Sequence, residues 1–464
     1  MHIRRNRFVP KPILKIVMGI KVTANGLLTL LIKRYAGPFW IRRRWLNKTQ
    51  WLSSAELEKI QLDLLKRLVR HCYDTVPYYR GLMDERGIAA DSIRSLEDIK
   101  LFPILTKREV YRAGSSLVST KYPKWFVRTA ETGGTTGTPL PLRRSLFSIG
   151  DEHAFVRRQW DWASVGFDDR CAYLKAKVIG ESESKSSRLY AYDPIMKELH
   201  LSSYNLSTET AGEYERLMKH YEVSSIVGYP SSVNLLARTF SDSNIKMKFR
   251  SALLTSETLT EPTRNMIAET FDCKVFDFYG SAERVSYIHT CEDGSYHVIP
   301  EYGLTEMIPT DDGNDEQCRI VATGFWNLAM PLIRYDTEDI VVKSDKSCSC
   351  GRAFPVVESI LGREGDVVRT PSGRELGVGI LGYTVYILCC ADNIIESQII
   401  QDAPDHITIE YMPDVKFSSE DLSEFESRLG QFLPDDLSFT LKKVDRVRRT
   451  ESGKVKFVVS LIDK

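Results

Sequence analysis

The sequence predicts an α/β protein in two unequal parts, and three observations carry that prediction. Between about residues 100 and 340, β-branched apolar runs alternate with helical stretches, the pattern of a mixed sheet covered by helices. Beyond Gly362 the pattern restarts as short strands and one acidic helix, which makes a small α+β unit. A length of 464 residues is also more than one hydrophobic core normally serves. The expected organisation is a basic arm over 1–50, a large α/β domain over 51–362 and a small α+β domain over 363–464.

The arm holds twelve Lys or Arg and no Asp or Glu. Within it, 13–32 is apolar except for Lys15, Lys21 and a few small or polar residues, too interrupted to span a bilayer, which needs about 20 mostly apolar residues. No small-residue cleavage site follows a clean apolar core, so a secretory signal is not expected. Two readings stand: a cationic segment lying on an anionic membrane surface, or a solvated charge run followed by a helix that docks on the domain.

The stretch 53–81, SSAELEKIQLDLLKRLVRHCYDTVPYYRG, spaces its apolar residues helically and carries Ser54, Glu56 and Glu58 near its start, so a packing helix is expected that ends before Pro77. Strands are expected in SSIVGYP (224–230), CKVFDFYG (273–280) and QCRIVATG (317–324), and a helix in ETAGEYERLMKHY (209–221). The small domain should hold strands within 396–413, a helix over 418–433 and a strand near 438–447. No internal repeat or low-complexity segment interrupts this order.

Composition is that of a globular protein, 42% apolar and 27% charged, with a net charge of +1 that gives no reason to expect nucleic acid as a partner. Nine cysteines in so long a chain are no disulfide framework, and a reducing cytoplasm is expected.

The richest chemistry lies in ETGGTTGTPLPLRR (131–144). Thr132, Gly133, Gly134, Thr135, Thr136, Gly137 and Thr138 let a loop bend tightly while presenting backbone N–H and hydroxyl donors to phosphate oxygens. The Gly-Lys-Ser/Thr ending of a Walker loop is missing, since Thr138 and Pro139 follow Gly137. DFYGSAER (277–284), RYDTEDIV (334–341), GREGDVV (362–368) and RRTESGKVKF (448–457) follow in order.

Together these five stretches resemble the adenylate-forming superfamily of acyl-CoA synthetases and related ligases, nearly end to end. They correspond to its phosphate loop, Tyr-Gly-x-x-Glu element, ribose-binding Asp element, hinge and catalytic-lysine loop. The resemblance implies a large multi-sheet α/β domain with a small mobile α+β domain, and an enzyme using ATP and Mg²⁺. Glu283 would hold Mg²⁺, a hard cation that takes carboxylate oxygen. Tyr279 and Gly280 would form the adenine wall. Asp339 would accept the ribose hydroxyls, and Arg363 would add charge-assisted contacts. Lys454, after Gly453, would stabilise charge developing in transfer, so Lys454, Glu283 and Arg363 form the expected catalytic set.

VGYPSSVNLLA (227–237), LSSYNLS (201–207) and AMPLIRYDTEDIV (329–341) look most like the branch of phenylacetate-CoA ligases and CapK-like proteins of capsular polysaccharide biosynthesis. There Ser256, Glu257 and Thr258 correspond to a segment lining the nucleotide pocket, and Tyr229 and Pro230 lie near the acyl pocket. The branch commonly carries zinc. Cys291, His297, Cys348 and Cys350 match as a closed set of one imidazole and three thiolates, suited to structural Zn²⁺, with Cys318 and His289 as competing ligands.

Two departures stand out. Many relatives continue the phosphate loop as Gly-x-Pro-Lys, whereas Leu140 follows Pro139 here, leaving Arg143 or Arg144 to supply the charge. At the hinge Gly365 precedes Asp366 in place of two acidic residues, which bears on whether a second, thiol-transfer conformation is used.

The implied reaction joins a small-molecule carboxylic acid to AMP with release of pyrophosphate, then passes the acyl group to CoA or another acceptor, in surface polysaccharide biosynthesis. The alternatives are adenylyl transfer to a hydroxyl and a non-catalytic ATP-binding assembly factor. The implied location is cytoplasmic, peripheral at the inner membrane face if the arm binds lipid. Acid identity and oligomeric state are unreadable from sequence.

Overall fold

A computed structural model describes residues 37–131, 140–175, 189–194, 196–203, 205–257, 259, 261–309, 316–362, 367–377, 381, 394–413, 417–445, 447–448 and 458–462. The apolar run 13–32, the loop 132–138, Thr258, Arg363, Gly365, Asp366, Gly453 and Lys454 lie outside these residues.

The expected arm contributes a packed element. Helix α1 (Gly37–Thr49) buries Phe39, Leu46 and Thr49, and its Arg42 and Arg43 pair at 2.9 Å with Asp151 and Asp161. α1 is therefore packed against elements that follow residue 51. Helix α2 (Ser54–Thr75) starts with a capping box in which the Ser53 N–H donates to Glu56 Oε2 at 2.9 Å and the Glu56 N–H to Ser53 Oγ at 3.4 Å. It ends before Pro77, which opens α3 (Pro77–Arg86) at its first position, where a missing N–H costs nothing. A short α4 (Lys107–Ala113) leads to the hairpin β1 (Val127–Glu131) and β2 (Pro141–Ser145), and then to α5 (Leu146–Trp162).

The central sheet has a parallel half and an antiparallel half. Strands β3 (Cys171–Leu174), β5 (Glu198–Leu201), β6 (Ser225–Gly228), β7 (Ser251–Thr255) and β8 (Lys274–Gly280) run parallel, with β4 (Tyr190–Asp193) antiparallel at the edge. Crossovers α6 (Ala211–His220), α7 (Pro230–Asp242) and α8 (Glu261–Phe271) join β5 to β6, β6 to β7 and β7 to β8. Ile226, Ala252, Leu254 and Val275 face these helices, while Val227, Leu253 and Phe276 face α1 and α5. This is the period-2 alternation of a sheet covered on both sides.

The antiparallel half holds β9 (Tyr287–Thr290), β10 (Tyr296–Val298), β11 (Gly303–Pro309), β12 (Gln317–Gly324), β13 (Tyr335–Lys343) and β14 (Val356–Gly362), giving the order β11-β12-β13-β14-β10-β9-β8-β7-β6-β3-β5-β4. Leu64, Leu65, Leu68, Val69 and Cys72 of α2 share its core with Ile288, Ile320, Ala322 and Val341. Beyond it, β15 (Val367–Arg369) pairs with β16 (Glu375–Gly377). A sheet of β17 (Ile394–Ala403), β18 (His406–Pro413), β19 (Ser438–Lys443) and β20 (Val458–Ser460) packs on α9 (Ser419–Phe432) through Ile399, Ile407, Ile409, Phe425 and Leu429.

Asp277, within β8, is buried and accepts a hydrogen bond from Tyr296 Oη at 2.7 Å. Burial outweighs that bond and pushes the carboxyl up to about 6. A raised acid pKa means that the folded state holds the proton more tightly, so this group's contribution to stability falls as pH rises from about 3.8 to 6. Asp277→Asn keeps the acceptor without the charge. It should be more stable than wild type by about 1–3 kcal/mol in urea unfolding at pH 8, with the difference shrinking toward pH 4.

Candidate functional site

The residues singled out in the sequence gather at the carboxyl ends of the parallel strands, where open α/β sheets bind ligands. Ser256 and Glu257 follow β7, Tyr279 and Gly280 end β8, and the two strand ends are paired through Thr255 and Phe278. Ser256 sits in the left-handed region at φ 72°, and Arg284, Arg334 and Glu338 do likewise at 60°, 51° and 62°. Such conformations cost a non-glycine residue on the order of 1–3 kcal/mol and concentrate where function needs them.

Two hydrogen bonds tie β8 and the turn after it to β13. Tyr279 Oη donates to Asp339 Oδ2 at 2.7 Å, and Tyr335 Oη donates to Glu283 Oε1 at 3.0 Å. β9, β10 and β14 separate the two strands in the sheet, so these contacts require the sheet to curl back on itself. A bulge helps to aim Asp339: β13 pairs with β12 at Asp336 and again at Ile340, with the left-handed Glu338 between. The Asp339 N–H donates to Thr337 Oγ1 at 3.2 Å and the Glu338 N–H to Asp336 Oδ1 at 3.0 Å, fixing the bulge. The Tyr279 ring is only partly buried, but its hydroxyl end is enclosed. Burial, then the Asp339 charge, raise its pKa well above the phenol range and keep it a donor.

Glu283 belongs to a turn seated on the end of β12, where a Cβ at Gly324 would collide with the Arg284 carbonyl. Arg144 of β2 donates to the Ala282 carbonyl beside it, and its Nε is buried with no partner among the described residues. Burial, reinforced by repulsion from Arg284, brings the Arg144 guanidinium down to about 10, so it remains charged at neutral pH. Arg143 instead points along the hairpin, donating to Thr129 Oγ1 at 2.9 Å. Of the two arginines, Arg144 is therefore the one beside Glu283. Residues 132–139 join the paired ends of β1 and β2, where Glu131 faces Pro141.

The structure thus brings together Ser256, Glu257, Tyr279, Gly280, Glu283 and Asp339. Tyr335, Thr337 and Arg284 are partners that the sequence did not single out. Tyr335 lies inside RYDTEDIV, but only the fold sets it against a carboxylate 52 residues away.

On the antiparallel half, Cys291, His297, Cys348 and Cys350 place one ligand atom each within 4.8 Å of the others. Cys291 Sγ and Cys348 Sγ are 3.5 Å apart, and Cys350 Sγ and His297 Nε2 3.4 Å. A tetrahedral Zn²⁺ site spaces such atoms roughly 3.5–3.8 Å apart, so these two pairs fit, and the donor set of one imidazole and three thiolates suits the ion. The Asp293 and Cys350 N–H groups donate to Cys291 and Cys348 sulfur, each at 3.4 Å. His297 Nδ1 lies 3.3 Å from the Phe354 carbonyl, which orients Nε2 toward the thiolates. The competing residues lie elsewhere: Cys318 is in the core of β12, and His289 packs against Trp162 with ring centroids 4.6 Å apart and the planes tilted by 52°.

A family model described as the CapK C-terminal domain matches residues 380–461. The chain is 21% identical to protein CapK of Staphylococcus aureus, covering 88% of this chain and 90% of that one. It is 26% identical to phenylacetate-coenzyme A ligase of Thermus thermophilus over 68% of this chain and 72% of the other. Among solved structures it resembles 2-hydroxyisobutyryl-CoA ligase in complex with 2-HIB-AMP and CoA, with a TM-score of 0.57, 16% identity and 89% and 92% of the two chains covered. The fold is that of the adenylate-forming ligases. Within that class, the chain is similar in sequence to CapK and to the phenylacetate-CoA ligases. Among the described residues, no helix is long and apolar enough to cross a membrane.

Proposed function

We propose that the protein adenylates a carboxylic acid with ATP and Mg²⁺, releasing pyrophosphate, and passes the acyl group to a thiol such as CoA, in surface polysaccharide biosynthesis at a cytoplasmic site. The observation that carries the reading is the convergence of Tyr279, Glu283 and Asp339 on the sheet's carboxyl end, held by the Tyr279–Asp339 and Tyr335–Glu283 bonds. The relatives support the class of reaction, and the likeness to CapK supports the polysaccharide setting.

In this reading the exposed part of the Tyr279 ring stacks on adenine. Asp339, one oxygen taken by the Tyr279 hydroxyl, uses its other lone pairs for the ribose hydroxyls. The loop 132–138 wraps the phosphates, and Arg144 supplies the cation that Leu140 does not. Glu283 holds Mg²⁺, whose role is to neutralise phosphate charge. A carboxylate oxygen of the acid attacks the α-phosphorus in line, and the bond to the pyrophosphate oxygen breaks. Lys454, carried by a mobile 363–464 domain with its hinge near Arg363, Gly365 and Asp366, stabilises the charge that develops. A thiolate then attacks the acyl carbonyl and AMP leaves. The Cys291–His297–Cys348–Cys350 set holds a structural Zn²⁺.

Mass analysis of reactions with ATP, Mg²⁺, CoA and an acid panel tests the proposal, which expects acyl-CoA and AMP in equal amounts. ADP as the nucleotide product would overturn it. For the metal, Cys348→Ser with Cys350→Ser should remove about one bound zinc per chain and lower the melting temperature by about 5–10 °C. Unchanged melting and a wild type without zinc would remove the metal from the account.

A further inference from the structure

The outer face of α1 is aromatic, apolar and basic, and much of it stays open to solvent although Trp40 lays one side against Phe39 and Phe167, with ring centroids 5.2 and 5.8 Å away, and Trp51 receives Arg352 at 4.8 Å. Its inner face explains the helix: Phe39 and Leu46 enter the core, and Arg42 and Arg43 meet Asp151 and Asp161. On the opposite side Trp40, Ile41, Arg44 and Lys48 fall within about 100° of helix arc, and Trp51 continues the line past the helix end. Trp40, Ile41 and Trp51 are 45%, 72% and 58% exposed, and Arg44 and Lys48 are exposed between them.

Charge selects the occupant. α1 contains no Asp or Glu, and the two aspartates beside it are engaged by Arg42 and Arg43 on its inner side. The chain enters α1 from residues 1–36. Those residues hold eight of the arm's twelve Lys and Arg, the other four being Arg42, Arg43, Arg44 and Lys48. A second copy meeting this face about a two-fold axis would set Arg44 and Lys48 against the same cations. Nucleic acid would match the charge but leave Ile41 and the tryptophan bodies without apolar cover.

We propose that this face of α1 docks on an anionic lipid bilayer. Trp40, Ile41 and Trp51 enter the interfacial zone, where an indole buries its body and keeps its N–H wet. Arg44 and Lys48 reach the phosphate headgroups, and the basic stretch 1–36 adds attraction to the same surface. The inference is independent of the adenylation chemistry.

The test is flotation of the full chain with phosphatidylcholine vesicles, with and without roughly 30% phosphatidylglycerol, at low and high salt. Binding is expected only to the anionic vesicles and should weaken with salt. Trp40→Ala with Ile41→Ala, and separately Arg44→Glu with Lys48→Glu, should each reduce the partition coefficient about 10-fold or more. The thermal melt of Arg44→Glu with Lys48→Glu should match wild type, because those side chains are exposed, and Trp40→Ala with Ile41→Ala, which gives up the Trp40 contacts with Phe39 and Phe167, should stay folded and melt only a few degrees lower, by about 5 °C or less. Tyr111→Ala, an exposed aromatic on α4, should bind as wild type does. No binding by wild type, equal binding by the α1 variants, or an equal fall in Tyr111→Ala would overturn the proposal. So would a dimer that Trp40→Ala with Ile41→Ala dissociates in a protein that ignores vesicles.

Discussion

Replacing Lys454 by alanine is expected to slow acid-dependent ATP–pyrophosphate exchange by about 10²–10³-fold while changing the KM for ATP by less than about threefold. Lys454 lies in RRTESGKVKF, between β19, which ends at Lys443, and β20, which begins at Val458. A cation there, after Gly453, would act on charge that grows only as the α-phosphorus is attacked, so its loss should appear in kcat. The contacts proposed for ground-state ATP do not include Lys454, so the KM for ATP should hardly change. Steady-state exchange at saturating acid, with ATP and Mg²⁺ varied together, separates the two constants. A rise in KM with kcat intact would make Lys454 a binding residue and move the transfer chemistry elsewhere.

Glu283→Gln should have the second largest effect, about a 10²-fold fall in exchange at low Mg²⁺ that excess Mg²⁺ partly restores. An amide oxygen is a far poorer ligand for a hard dication than a carboxylate. Tyr335 could still donate to the amide oxygen, so urea unfolding should change by less than about 1 kcal/mol. Activity curves against Mg²⁺ for wild type and variant would show a shift to higher concentration. A uniform loss at every Mg²⁺ level would mean that Glu283 does not serve the metal.

Local chemistry explains why some of this was legible in the sequence. The capped α2 and its stop at Pro77 follow from helical spacing and from proline's missing N–H. Strands β6, β8 and β12 announce themselves as β-branched runs. The cysteine and histidine set was readable because Cys-x-Cys before glycine is an unusual spacing, and the structure gathers those same four residues.

What escaped depends on distance along the chain or on backbone conformation. Tyr335 meets Glu283 only because the sheet curls. Ser256 and Glu338 carry left-handed backbone without the glycine that would signal it. Arg144 could not be separated from Arg143 by spacing, since alternation along β2 sends adjacent side chains to opposite faces. A docking helix after the basic run was one of two readings of the arm, and what spacing could not supply was its partners, Asp151 and Asp161, more than a hundred residues on.

ATP–pyrophosphate exchange with Mg²⁺ across aryl, fatty, hydroxy and amino acids reports acid-dependent adenylation without intervening steps. Exchange supported by one class of acid, and lost in Lys454→Ala, is the predicted result. Binding of ATP with no exchange for any acid would contradict the account and leave the site holding a nucleotide that it does not use to activate carboxylates.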